Sequence, residues 1–171
     1  MTSFVALLRA VNVGGTGKLP MSDLKAMCQS AGFQDVRTYI ASGNVVFVSR
    51  LGETKVKALL EAELRRYAGK PISVMVRSHA ELRSVLANNP FRDAPGNRCL
   101  VTFLDAAPPP DTVARISGQT VEQVALGGRE IYVHYGDGMA TSKLKIPAAA
   151  NGTARNMNTV AKLVELAGPP E

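Results

Sequence analysis

The stretch Val36-Arg37-Thr38-Tyr39-Ile40-Ala41-Ser42-Gly43-Asn44-Val45-Val46-Phe47-Val48 decides the fold. Val36 to Ala41 and Asn44 to Val48 are β-rich runs, and the Ser42-Gly43 connection between them is short enough to force an antiparallel hairpin. Upstream, Phe4 to Val11 reads as a buried strand and Gly14-Gly15-Thr16-Gly17 as a loop. Pro20 then opens a helix whose Leu24, Met27, Cys28 and Ala31 keep i, i+3, i+4, i+7 spacing until Gly32 ends it. Downstream, Val56, Leu59, Leu60, Leu64 and Tyr67 form the apolar stripe of a second helix closed by Gly69, and Ile72 to Val76 is a fourth strand. Strand, helix, strand, strand, helix, strand is the order of a ferredoxin-like sandwich.

Beyond this core, Ser78-His79-Ala80-Glu81 is a capping box opening a third helix, which Asn89-Pro90 stops. A strand from Arg98 to Leu104, a short helix from Asp111 to Ile116, and strands Thr120 to Leu126 and Arg129 to Tyr135 around Gly127-Gly128 follow. A last helix is expected from Thr153 to Ala167. The expectation is an α+β fold: a ferredoxin-like βαββαβ subdomain over residues 1–90, with a smaller βαββα subdomain over 91–171 packed on it. The second half repeats most of the first half's element order, without a residue-level repeat in the sequence.

Composition narrows the function classes. In 171 residues, 46% are hydrophobic and 20% charged, a globular balance. The net charge is +6, and all of it lies early: residues 1–90 carry 12 basic and 6 acidic side chains, residues 91–171 carry 8 of each. Phe4 to Leu8 is the longest apolar run near the start and Arg9 stops it, too short for a secretory signal or a membrane span. Cys28 and Cys99 stand far apart with no second pair, so neither a disulfide framework nor a CxxC zinc pattern can be written. A cytoplasmic protein is expected, with no metal, since His79 and His134 are the two histidines and no metal-ligand spacing surrounds them. No cofactor is expected either.

Four segments carry residues found in the bacterial family of unknown function 1697. They are Arg9-Ala10-Val11-Asn12-Val13-Gly14-Gly15, the hairpin from Thr38 to Phe47, Asn89-Pro90-Phe91, and Thr153-Ala154-Arg155-Asn156-Met157-Asn158-Thr159-Val160. The sequence resembles that family over essentially its whole length. The resemblance implies an α+β fold with a ferredoxin-like N-terminal part and supplies no activity. Ala10 departs from a usual Gly, and Met157 from a frequent Trp, which removes an aromatic stacking platform; methionine there fills core space or packs on a flat ligand.

The residues suggest a site by their chemistry. Asn12 to Lys18, with Gly14 and Gly15, lies between a strand and a helix, where a glycine-rich turn can aim backbone N–H groups at phosphate. It is not a Walker A loop, because Asn12 and Leu19 stand where that motif needs glycine and Ser or Thr. The predicted start of the last helix at Thr153 offers unpaired N–H groups beside Arg155 and Asn156. If Arg9, Lys143 and Arg155 converge, three cations suit a phosphate, with Asn12, Asn44, Thr153 and Asn156 orienting it. The competing reading is a buried hydrogen-bond network of the same side chains.

The favoured expectation is a binding module for an anionic, phosphate-bearing, nucleotide-like ligand. An enzyme acting on a phosphorylated substrate at the same place is the first alternative. Ser42, Cys28, Cys99, His79, His134 and Asp137 are scattered candidates for catalysis, with no nucleophile elbow among them. A nucleic-acid binder that reads no sequence fits the basic first half, although Phe47 and Tyr39 are the only aromatics of the hairpin. A protein-interaction domain using an open sheet edge is the remaining class. Ligand identity, turnover, partners and oligomeric state are not written in the sequence.

Overall fold

A computed structural model describes residues 1–12 and 18–168 of the chain. These residues form two compact units, Met1–Arg83 with Lys162–Glu171, and Ser84–Ala161. The fold is α+β, as its sequence implies.

In the first unit, strand β1 (Thr2–Leu8), helix α1 (Met21–Ser30), strands β2 (Gln34–Tyr39) and β3 (Asn44–Ser49), helix α2 (Glu53–Ala68) and strand β4 (Val74–Ser78) follow the ferredoxin-like order. The sheet runs β2-β3-β1-β4 and every pairing is antiparallel. Strand alternation sends Phe4, Ala6 and Leu8 of β1 and Val45 and Phe47 of β3 into one buried cluster with Leu24, Cys28, Leu60 and Leu64 of the two helices. The Phe33 and Phe47 rings stack there at 4.2 Å. Glu61, on α2, takes Lys57 as its ion-pair partner at 3.0 Å and also accepts the Val74 N–H, tying α2 to β4.

The hairpin is less regular than its sequence suggests. Gln34 pairs with Val48 and Arg37 with Val46, so three steps along β2 match two along β3. This is a β-bulge, and the extra residue is Asp35, a non-glycine at φ 52°. Its effect is to switch faces. Val36 joins the apolar cluster against the helices, while Arg37 lies opposite Val46 on the other face.

In the second unit, β5 (Cys99–Phe103), β6 (Gln123–Leu126), β7 (Glu130–His134) and β8 (Thr153–Asn156) form a second antiparallel sheet, ordered β6-β7-β5-β8. Position for position this is the first sheet's order. Short 3-10 turns, including one at Val113–Arg115 where a short helix was expected, stand in the two places that α1 and α2 hold in the first unit.

The largest departure from expectation is β8. Residues 153–156 do not begin the last helix; they pair with β5, Arg155 opposite Val101 and Thr153 opposite Phe103. Thr153 is β-branched and Arg155 is buried, so sheet pairing satisfies a backbone that a helix's exposed first turn would not. Helix α4 starts at Met157 and runs to Ala167.

With β8 in place, a residue-level repeat becomes visible. β4 runs directly into helix α3 (His79–Ala87), as β8 runs into α4. Arg77 pairs with Val5 and Arg155 with Val101 at equivalent registers. Both arginines are buried, at 1% and 7% exposure, and each donates from Nη1 to the carbonyl of the residue before it, at 2.9 Å. The next residue caps a helix in both units: Ser78 Oγ accepts the Glu81 N–H at 3.2 Å, and Asn156 Oδ1 accepts the Thr159 N–H at 2.9 Å. Glu81 returns the bond to the Ser78 N–H at 3.0 Å, completing the expected capping box.

Candidate functional site

The strand-end loops of the first sheet hold the densest cluster of special backbone. β1 ends at Leu8, and Ala10 and Asn12 follow it at φ 56° each; Ile40, in the turn between β2 and β3, sits at φ 50°. Left-handed conformation costs a non-glycine residue roughly 1–2 kcal/mol, and Ile40 is β-branched as well. These conformations are held by hydrogen bonds. Asn12 Nδ2 donates to the carbonyls of Leu19 at 2.9 Å and Ala41 at 2.8 Å, while its Oδ1 accepts the Leu19 N–H at 2.6 Å. One amide thus fixes both ends of the 12–19 loop and ties it to the hairpin turn. Asn44 is fully buried and donates to the Tyr39 carbonyl and Ser42 Oγ, closing that turn from inside.

Gly43, at φ 90°, completes the junction, since a Cβ there would lie 2.6 Å from Val11 Cγ2. Arg9 and Lys18, at the two ends of this segment, are both exposed. Gly14 and Gly15 lie outside the described residues. What the described residues offer chemically is a pair of loop ends braced at Asn12 and Leu19, with an exposed cation near each.

The remaining expected site residues belong to the second unit. Arg155 Nη1 donates to Thr153 Oγ1 at 2.7 Å, and burial lowers its guanidinium pKa to about 10, which leaves it charged at neutral pH. Asn156 is the cap of α4. Lys143 is exposed, on a segment that runs beside the loop preceding β6: Ser117 and Lys145 exchange both backbone hydrogen bonds, at 3.0 and 2.8 Å. Thr153, Arg155 and Asn156 therefore have protein partners of their own, and the helix start that was to place them at a ligand lies four residues further on.

Residues 1–132 match the family described as "Protein of unknown function (DUF1697)". The chain belongs to this family. Its fold is also that of a solved structure, the conserved bacterial protein SP0830 from Streptococcus pneumoniae, with a TM-score of 0.82, 23% identity, and coverage of 98% of this chain and 99% of that one. None of the curated proteins matches the sequence.

In this DUF1697 chain each histidine has a partner of its own within its unit. His79 lies 3.1 Å from the Val164 carbonyl and His134 3.2 Å from Gln123 Oε1, so neither bonds a serine, a cysteine or a carboxylate among the described residues. Asp137 pairs with Arg98. Cys28 and Cys99 are free and buried, and burial pushes the Cys28 thiol up to about 12, far from a thiolate. Phe47, one of the two hairpin aromatics, is in the core. Among the described residues no cluster of metal-ligating side chains exists, and no helix is long and apolar enough to cross a membrane.

Sequence reading passed over Glu122. Its carboxylate accepts hydrogen bonds from Ser142 Oγ and from the N–H and Oγ1 of Thr120, at 2.7 and 3.0 Å. No spacing in the sequence pairs residues twenty apart across two loops. The Ser142 bond, then the backbone bonds, hold its pKa down to about 2; burial opposes them and loses. Because the folded value is below the ordinary carboxylate value, the stability it contributes is present above about pH 4 and lost as pH falls toward 2. Chemical unfolding measured from pH 6 to pH 2.5 should show the gap between the parent and Glu122→Gln narrowing over that window. Parallel curves would contradict the assignment.

Proposed function

We propose that this chain is a cytoplasmic binding module for an anionic, phosphate-bearing ligand of nucleotide-like size, contacted at the 9–18 segment. The observation that carries this reading is the gathering of Ala10, Asn12 and Ile40, three non-glycine residues in left-handed conformation, about one loop whose exposed charges are Arg9 and Lys18. Backbone strain of this kind persists where the surroundings over-determine it, and it concentrates at binding loops. The Asn12 amide provides that determination, and the glycines at 14, 15 and 17 suit close approach of backbone N–H groups to an anion. The two free, buried thiols suit a reducing compartment.

The test is thermal unfolding against inorganic phosphate, mononucleotides, sugar phosphates and short nucleic acids, at two salt concentrations. A ligand at a hundred times its dissociation constant stabilises by about 2.7 kcal/mol. The expected result is a shift with one small phosphorylated compound that Arg9→Ala combined with Lys18→Ala abolishes. Shifts with every nucleic acid that vanish at high salt would replace this reading with a non-specific nucleic-acid surface. A flat response across the panel would reject it.

A further inference from the structure

The opposite end of β1 from the 9–18 loop opens onto a cleft of about 780 Å³, within the range of small-molecule sites. All the residues that line it belong to the first unit. Its floor is Val46 and Val48 of β3, on the face turned away from α1 and α2. Its walls come from the start of α3 and the end of α4, and its rim carries Asp35 and Arg37.

The bulge in β2 is what puts Arg37 there. Regular alternation from Gln34, which pairs with Val48, would have turned Arg37 toward the face of the apolar cluster. The extra residue turns Arg37 to the cleft instead, at the cost of a left-handed Asp35, while Val36 packs in the apolar cluster and still borders the cleft. Bulges that re-aim a side chain occur beside binding sites more often than elsewhere.

The two charges at the rim do not neutralise each other. Arg37 makes one hydrogen bond, from Nη2 to the Leu166 carbonyl at 2.8 Å, which leaves its other N–H groups without a protein partner among the described residues. Asp35 is exposed and has no ion-pair partner among them. The end of α4, where Ser3 Oγ meets the Ala167 carbonyl at 2.7 Å, adds the negative pole of a helix on the Asp35 side of the balance. An apolar floor with one unpaired cation and one unpaired carboxylate, two residues apart, is complementary to a molecule with both charges close together and an apolar tail.

We propose that this cleft binds a small zwitterion of the α-amino-acid type with a large apolar side chain, its carboxylate on Arg37, its ammonium on Asp35 and its side chain on Val46 and Val48. The site is separate from the 9–18 loop, and the Arg9 and Lys18 variants leave it intact.

The experiment is a titration of the labelled full chain with L-methionine, L-leucine and L-phenylalanine, followed by amide chemical shifts. N-acetyl-methionine and methionine amide, which each lack one charge, serve as controls. Saturable shifts at Arg37, Val48 and Ala80 are expected with the free amino acids. Arg37→Gln and Asp35→Asn should each weaken binding by about tenfold or more, as loss of a charge-assisted bond does. Both substitutions keep the fold, because asparagine tolerates left-handed backbone and glutamine can still donate to Leu166. Equal affinity for N-acetyl-methionine, or no saturable shift with any of the five compounds, would overturn the proposal.

Discussion

Arg155→Ala should lower stability by about 3 kcal/mol, measured as a shift of the urea midpoint at unchanged slope, through the cavity left and the hydrogen bonds lost. The side chain is 7% exposed and donates to Thr153 Oγ1 and to the Ala154 carbonyl from the edge strand of the second sheet. Removing it takes one donor from the Thr153 hydroxyl and empties the volume of a long side chain. Arg155→Lys should recover part of the loss, since one ammonium cannot reproduce the fork of donors. The same reasoning covers Arg77, 1% exposed at the equivalent register of the first sheet. A loss under about 0.5 kcal/mol, the size of an ordinary surface substitution, would mean that Arg155 is a solvent-facing residue after all. The expectation also governs how binding is tested: an Arg155 variant that fails to bind reports on folding, so Arg9 and Lys18 are the substitutions to use.

Gly118→Ala should be comparably damaging, by about 3 kcal/mol, for two reasons that add. Gly118 has φ 70°, and a Cβ built on it would overlap the Lys143 carbonyl oxygen, a backbone atom that cannot swing aside. Left-handed strain contributes roughly 1–2 kcal/mol and overpacking against backbone roughly 1–3 kcal/mol. The contact lies where Ser117 and Lys145 exchange hydrogen bonds and Glu122 holds Ser142, so the methyl group pries apart two loops at their junction. Gly128→Ala is the control, because its Cβ would meet nothing within 4 Å and its φ is ordinary. Equal unfolding midpoints for the two variants would show that the loops are not packed as described.

The first unit was legible because its signals are local. The hairpin, the helix stripes of Leu24 to Ala31 and Val56 to Tyr67, and the Ser78 to Glu81 capping box each declare themselves within a dozen residues. The second unit was legible in class but not in detail. Thr153-Ala154-Arg155-Asn156 is four residues long and runs without a break into Met157, so its strand is set by pairing with Leu100 to Phe103, some fifty residues earlier. The bulge at Asp35 has no local signal either, since its register follows from which of Val36 and Arg37 the apolar cluster accepts. At the candidate site, asparagines flagged for their chemistry proved to brace turns, as Asn12 and Asn44 do, because an amide that can grip a ligand can equally grip a backbone.

Both α3 and α4 change unit part-way along, and this bears on how the chain is made. Lys162 onward belongs with Met1–Arg83. Ser3, Arg37 and His79 therefore find acceptors, the carbonyls of Ala167, Leu166 and Val164, in the segment that follows Lys162. A nascent chain synthesised as far as residue 90 has every strand of its first sheet and still lacks the segment that finishes that unit. The order of synthesis and the order of completion are thus inverted: residues 1–83 are made before residues 84–161, yet the unit they build is finished only by a segment made after them.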